Sequence, residues 1–140
     1  MPAGRFIGAP FRRCLLYTSG STFGGNPLVT AAGVAAFTTI LEENLPQHAA
    51  EMGQYMQEKF LMLQKKHTCI QEVRGRGLLL GLLLDREGAA VVQECMANGL
   101  LINCTAQYVL RFVPPLIITK ADIDRAVAIL DAAFTKVYRA

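Results

Sequence analysis

The sequence predicts an α+β domain in which a short antiparallel or mixed sheet has its helices packed on one side. Three observations support that prediction. Apolar residues recur at helical spacing over about residues 46–66 and again after Thr119, and the segment between them changes to the short apolar runs of strands. The resulting element order is ααββαββα, which is typical of a sheet segregated from its helices.

Two helices open the part of the chain with a clear pattern. The first is expected over residues 27–44, with Asn26 as N-cap and a proline at the first helical position. It is rich in alanine and glycine, which suits either a packed interface or a buried core helix. The second is expected over residues 46–66, and its core stripe repeats at helical spacing: Met52, Met56, Phe60 and Leu63.

The remaining elements follow in order. Strands are expected at 70–74 and 78–84, separated by a turn over 74–77, and the second strand is apolar on both faces. A helix over 85–98 should end at Gly99. Two further strands, at 100–104 and 108–113, follow it, and the second is stopped by a proline pair. Thr119 and Asp122 then form a near capping box for the last helix.

Composition excludes several classes of protein. The 140 residues are 52% hydrophobic and 18% charged, which suggests a surface partly covered by a second domain or subunit. The net charge of +3 comes from Arg5, Arg12 and Arg13, and the rest is neutral, so nucleic acid is not an expected partner. No apolar run is long enough for a membrane segment. Four cysteines without C-x-x-C spacing predict reduced thiols of a cytoplasmic protein, and two separated histidines predict no metal site.

A glycine-rich loop at residues 20–26 is the first candidate for binding chemistry. It places the hydroxyls of Ser21 and Thr22 directly before a helix start, where free N–H groups and the positive end of the helix dipole favour an anion. No lysine follows Gly25, so the loop is not a Walker-type phosphate loop. A capped turn without a ligand remains the alternative.

Arg111 is the second candidate. It stands between apolar residues at a strand end, just before two prolines, and its planar fork suits a carboxylate. The alternative is an arginine on the exposed face of a half-buried strand. Arg74 and Arg76, which flank glycines, are interpreted as bracing the turn or a neighbouring domain.

Four motifs stand in one order along the chain: Gly-Ser-Thr-Phe-Gly-Gly-Asn-Pro-Leu at 20–28, Val-Arg-Gly-Arg-Gly-Leu at 73–78, Gly-Leu-Leu-Ile-Asn at 99–103 and Leu-Arg-Phe-Val-Pro-Pro-Leu-Ile-Ile at 110–118. Together they resemble the C-terminal part of class-III aminotransferases, which use pyridoxal 5'-phosphate (PLP), and the acetylornithine aminotransferase group above all. The resemblance covers residues 20 to about 137. It implies the small C-terminal domain of a fold-type I enzyme.

The resemblance also implies roles for the two candidate sites. Ser21 and Thr22 would reach the PLP phosphate across a dimer interface, and Arg111 would bind the α-carboxylate of the substrate. The implied reaction is transfer of an amino group from N-acetylornithine, or a related ω-amino substrate, to 2-oxoglutarate in arginine biosynthesis. The implied protein partner is a second copy of the chain in a homodimer.

The chain departs from the family pattern in its first part. In the family, the lysine that carries PLP precedes the Gly-Ser-Thr motif, whereas Lys59, the first lysine here, follows it. We therefore expect an off-pattern head over 1–19, a cofactor-phosphate loop and interface helix over 20–44, and the small domain over 45–140. On this interpretation the chain is a fragment that carries no catalytic residue and is inactive alone. The alternative is a non-catalytic α+β module that binds an anion or a partner protein.

Overall fold

The computed structural model describes residues 24–138. By its internal contacts the chain divides into two compact units, Met1–Ile40 and Leu41–Ala140. The described elements occur in the predicted order: helices α1 (Pro27–Glu42) and α2 (Leu45–Lys66), strands β1 (Ile70–Arg76) and β2 (Leu79–Leu84), helix α3 (Ala89–Ala97), strands β3 (Asn103–Thr105) and β4 (Val109–Phe112), and helix α4 (Lys120–Tyr138).

Helix α1 begins where the sequence predicts. The Asn26 Oδ1 accepts a hydrogen bond from the Val29 N–H at 3.0 Å, and the Asn26 carbonyl accepts one from the Thr30 N–H at 2.9 Å. Asn26 is therefore the N-cap, and Pro27 occupies the first helical position, where its missing N–H costs no hydrogen bond. All residues of α1 are at least partly exposed, including Val34 and Phe37.

A four-stranded antiparallel sheet in the order β1-β2-β4-β3 forms the centre of the second unit. Side chains of β2 and β4 alternate between its two faces, and one face is buried against the helices: Leu80, Leu82, Leu84, Leu110 and Phe112. The predicted stripe of α2 is buried as well, and the rings of Phe60 and Phe112 lie 4.7 Å apart. The α+β prediction is confirmed, with the sheet antiparallel throughout.

The connection between β1 and β2 differs from the prediction. Residues 74–76 are not a turn, because β1 continues to Arg76, which pairs with Leu79. The loop is only Gly77 and Leu78, and Gly77 has a φ of 54°, which favours glycine. At Gly75 the pairing with Leu80 outweighs the turn tendency of glycine, and the turn falls at Gly77 instead.

Two later boundaries also differ from the prediction. Helix α3 begins at Ala89 rather than at residue 85, because the Asp85 and Gly88 N–H groups bond to the carbonyls of Cys69 and Gln107. Strand β3 begins at Asn103 rather than at residue 100, because the Leu100 N–H still bonds to the carbonyl of Cys95 at the end of α3. The first shift comes from hydrogen bonds to residues distant in the sequence, and the second from a local bond that closes the end of α3.

Helix α4 begins with the predicted cap. The Thr119 N–H and hydroxyl donate to the Asp122 carboxylate at 3.1 and 2.6 Å, and the Asp122 N–H donates back to the Thr119 Oγ1. These bonds hold the pKa of Asp122 below its ordinary value. One side of α4 completes the core with Ile123, Leu130, Ala133 and Phe134.

Candidate functional site

The predicted phosphate-binding hydroxyls, those of Ser21 and Thr22, lie outside the described residues. The described chain starts just after them, with a turn at Gly24 and Gly25. Gly25 has a φ of 79°. The N-terminus of α1 therefore comes directly after this loop, and its first turn holds no acidic side chain.

Arg111 lies in β4 between two residues of the core. Leu110 and Phe112 are buried against the helices, so the alternation of the strand places the Arg111 side chain on the opposite, exposed face. Among residues 24–138, no carboxylate lies within ion-pairing distance of its guanidinium. Arg111 is therefore an exposed cation on a strand whose backbone is fixed from both sides.

The pairing of the strands places Arg111 in a row that crosses the whole sheet. On one side it pairs with Asn103 of β3, and on the other with Gly81 of β2, which in turn pairs with Arg74 of β1. Directly paired residues of antiparallel strands lie on the same face. The sheet row, as we call Arg74, Gly81, Arg111 and Asn103, is thus on the face away from the helices.

A shallow depression of about 240 Å³ lies at the β3 end of the sheet row. Arg111 and Asn103 supply its polar groups, and Leu101, Ile102 and Val113 supply apolar walls. A guanidinium donates to both oxygens of a carboxylate in one plane, and an adjacent amide N–H₂ donates a further bond. The arrangement therefore suits a carboxylate attached to an aliphatic chain.

Gly81 is the only member of the sheet row without a side chain. A Cβ placed there would lie 3.3 Å from Val109 Cγ1 and 3.9 Å from Arg74 Cγ. Gly81 is therefore buried beneath Val109 and the stem of Arg74.

The other polar clusters of the second unit link its helices. Lys66 and His67 contact the Asp131 carboxylate at 2.5 and 2.7 Å, and first Lys66, then His67, hold the pKa of Asp131 below its ordinary value. The His48 Nε2 lies 2.9 Å from the carbonyl of Ile118. Each histidine thus joins two distant segments of the chain by a hydrogen bond that a structural role explains.

The cysteine thiols of the core are not activated. Burial raises the pKa of Cys69 and raises that of Cys95 to about 11, so both remain protonated at neutral pH. In the described part of the chain, no group of three or more histidine, cysteine or acidic side chains could hold a metal ion. No helix in that part is both long and apolar enough to cross a bilayer.

The fold and this sheet face define a small α+β domain that presents an arginine on an open sheet. The class-III aminotransferase model matches residues 8–134, and the chain belongs to that family. The cofactor of this family is PLP, as predicted. The match begins inside the segment 1–19, and the predicted divisions at residues 19 and 44 remain predictions.

Curated relatives of the chain include two kinds of enzyme. Acetylornithine aminotransferase of Aquifex aeolicus is 50% identical over 111 residues, which are 79% of this chain and 28% of the relative. Ornithine aminotransferase of Geobacillus sp. is 43% identical over 118 residues, 84% of this chain and 29% of the relative. The chain therefore spans about 30% of the length of the curated relatives it matches.

Solved structures agree on the fold. The acetylornithine aminotransferase of Elizabethkingia anophelis matches with a TM-score of 0.78 and 33% identity, over 84% of this chain and 32% of that one. The ornithine aminotransferase of Toxoplasma gondii, solved with partial occupancy of PLP at its active site, matches with a TM-score of 0.75 and 35% identity, over 86% and 29%.

Sequence patterns located Arg111 but not its neighbours. Asn103 entered only as part of a motif, and Arg74 was interpreted as a brace. These residues are brought together by the register in which the strands pair, and that register cannot be read directly from the sequence. A hairpin prediction that ran through residue 76 would have paired Arg74 with Gly81 and revealed the row.

Proposed function

We propose that this chain is the cofactor-phosphate loop and small domain of an aminotransferase that moves an amino group from N-acetylornithine, or a related ω-amino substrate, to 2-oxoglutarate. The reaction would belong to arginine biosynthesis. The observation that carries the proposal is the exposed Arg111 beside Asn103, since no carboxylate among residues 24–138 lies within ion-pairing distance of Arg111.

Arg111 is assigned to the α-carboxylate. That group is common to donor and acceptor, so its binding residue must be charged, rigid and indifferent to the rest of the substrate. The backbone of β4 is bonded to β2 on one side and β3 on the other, which fixes the start of the Arg111 side chain. Asn103 adds an uncharged donor next to it.

Ser21 and Thr22 are assigned to the phosphate of PLP. The described residues beside them fit a dianion, because α1 presents the positive end of a 16-residue helix with no acid in its first turn. PLP, when bound, supplies the chemistry of amino-group transfer. The residues of this chain hold its phosphate and orient the substrate carboxylate.

The remaining parts of the proposal follow from the motif order. The lysine that carries PLP is assigned to sequence outside these residues, and the chain alone is expected to be inactive. The exposed apolar side chains of α1, such as Val34 and Phe37, suit a helix that a second subunit covers in a homodimer. The cytoplasm remains the predicted location, on the cysteine pattern.

A segment exchange tests the proposal. The 111-residue matching segment of the Aquifex aeolicus enzyme is replaced by the corresponding residues of this chain, and the chimera is assayed with N-acetylornithine and 2-oxoglutarate. We expect turnover. Arg111→Lys should raise the KM for both substrates about tenfold, because a point charge replaces a bidentate fork.

Arg125→Lys is the matched control, since Arg125 lies exposed on α4 outside the sheet row. It should leave both KM values unchanged. A chimera that binds PLP but forms no product would contradict the proposal and favour the non-catalytic module. A change in the KM of one substrate alone would refute a shared carboxylate site.

A further inference from the structure

Gly88 lies against the hairpin of β3 and β4 that carries the candidate carboxylate site. It is the N-cap of α3, and a Cβ placed there would lie 2.9 Å from both Cys104 Sγ and Leu110 Cδ2. Cys104 of β3 pairs with Leu110 of β4. The next pair of the same ladder is Asn103 and Arg111, whose side chains line the depression. Because neighbouring residues of a strand lie on opposite faces, Gly88 contacts the face of the hairpin that is away from the site.

The turn of this hairpin has a backbone conformation that its residues disfavour. Three residues separate the last pair of the ladder, Thr105 and Val109. The first two of them, Ala106 and Gln107, have φ values of 49° and 66°. Left-handed backbone is uncommon for residues other than glycine, and it persists only where the surrounding structure holds it. Since turn type and loop length set the register of a hairpin, this turn also determines which residue pairs with Arg111.

The loop before α3 and the end of β2 hold this turn in place. The Gly88 N–H donates to the Gln107 carbonyl at 2.8 Å, and the Cys104 thiol donates to the same oxygen at 3.1 Å. The Leu84 N–H donates to the carbonyl of Tyr108 at 2.8 Å. The backbone of residue 88 approaches the hairpin this closely because glycine has no side chain.

We propose that Gly88 is a positioning residue for the carboxylate site, and that it acts by holding the hairpin in the register that pairs Asn103 with Arg111. The inference rests on the proposed function. The Asn103 amide can donate to the bound carboxylate only while it lies beside Arg111, and a slip of one residue would turn it to the opposite face. A side chain at position 88 would press on Cys104 and Leu110, so it would displace Asn103 without contacting the substrate.

NMR of the full 140-residue chain tests the structural step without turnover. In the wild type, cross-strand NOEs should connect Asn103 with Arg111 and Arg74 with Gly81. Gly88→Ala should remove the first set and keep the second, because the pairing of β1 with β2 lies outside the hairpin. Adding Gln107→Gly to Gly88→Ala should restore the first set, because glycine adopts a positive φ without outside support.

The chimera with the Aquifex aeolicus enzyme tests the effect on the site. Gly88→Ala should raise the KM for N-acetylornithine and for 2-oxoglutarate about fivefold and leave kcat unchanged, because it weakens the binding of a shared carboxylate. Asn103→Ala should raise both KM values by the same factor. The two substitutions together should raise them no further, since both act through one amide.

Gly53→Ala is the matched control in the chimera. It makes the same substitution at another tightly packed glycine, where an added Cβ would meet the backbone of Gly77 rather than the hairpin of β3 and β4. A loss of stability alone would therefore affect both glycine variants. We expect Gly53→Ala to leave both KM values unchanged.

The outcomes separate the two proposals. If Arg111→Lys leaves both KM values of the chimera unchanged, the proposed function fails. If Arg111→Lys raises them while Gly88→Ala keeps the register and both KM values, the role of Gly88 is refuted and that of Arg111 stands. Additive effects of Gly88→Ala and Asn103→Ala would also refute the role of Gly88. So would a loss of every cross-strand NOE in Gly88→Ala, because the substitution would then act on the whole sheet.

Discussion

Replacing Gly53 by alanine should push α2 away from the loop between β1 and β2. Gly53 is buried in α2, and a Cβ there would lie 2.3 Å from the carbonyl oxygen of Gly77 and 2.6 Å from its Cα. These are backbone atoms that no rotamer change can move. A carbon–oxygen contact needs about 3.3 Å, so the helix would have to retreat by about 1 Å.

Two opposing terms set the magnitude. Alanine is favoured over glycine within a helix by about 1 kcal/mol. Overpacking costs about 1–3 kcal/mol. A gap of about 0.5–1 Å between packed atoms loses about a quarter to a half of the dispersion energy of each contact across it. Since Met52 and Met56 beside Gly53 are both buried, the packing loss should exceed the helix gain. Because the clash is with backbone atoms, we expect the net loss to lie in the upper half of the resulting range, about 1–2 kcal/mol of unfolding free energy.

Urea denaturation followed by circular dichroism measures this difference. With a slope of about 2 kcal/mol per molar urea, the midpoint should fall by about 0.5–1 M. Gly33→Ala is the matched control, because it makes the same change within α1, where no described atom lies within 4 Å of the added Cβ. It should cause no loss. A urea midpoint for Gly53→Ala at or above that of the wild type would refute the close contact between α2 and the loop.

Two further predictions concern ionisable groups. Iodoacetamide at pH 8 should leave Cys69 and Cys95 unmodified in the folded chain and should label both in urea, because burial raises the pKa of each thiol. Peptide mass mapping measures the labelling. Equal labelling rates in the folded and unfolded states would count against this prediction. Lys66 and then His67 lower the pKa of Asp131, so its stabilisation exists above the ordinary carboxyl pKa and is lost as the pH falls through the lowered one. Asp131→Asn should therefore cost about 1 kcal/mol of unfolding free energy at pH 7 and nothing in strong acid, and a deficit independent of pH would contradict the ion pairs.

The elements that the sequence predicted best are those whose signals are local. The stripe of Met52, Met56 and Phe60 repeats at a period that only a helix satisfies, and the Thr119 cap depends on a partner three residues away. The start of α3 differs from the prediction because the N–H groups before it bond to Cys69 and Gln107, which are distant in the sequence. Such bonds depend on tertiary structure, and a window of residues does not contain them.

The candidate site likewise combines features that local sequence predicts with features that only the tertiary structure reveals. The motif around Arg111 indicated an anion site, and the alternation of β4 with its buried Leu110 and Phe112 gave the exposed side. Asn103 and Arg74 share a row with Arg111 only through the pairing of four strands. Ser21 and Thr22 lie outside the described residues, so their role stays a prediction.

A single extra residue decides which face Arg74 occupies. Ile70 is buried, and strict alternation from Ile70 would bury Arg74 as well, since the two are four residues apart. The pairing of β1 with β2 shifts between Ile70 and Glu72, so Gln71 forms a bulge and both Ile70 and Val73 pair with residues of the buried face of β2. Arg74 is thereby turned to the open face, opposite Gly81. The bulge is therefore the feature that brings two arginines into one row, and a one-residue slip of β1 would remove Arg74 from that row.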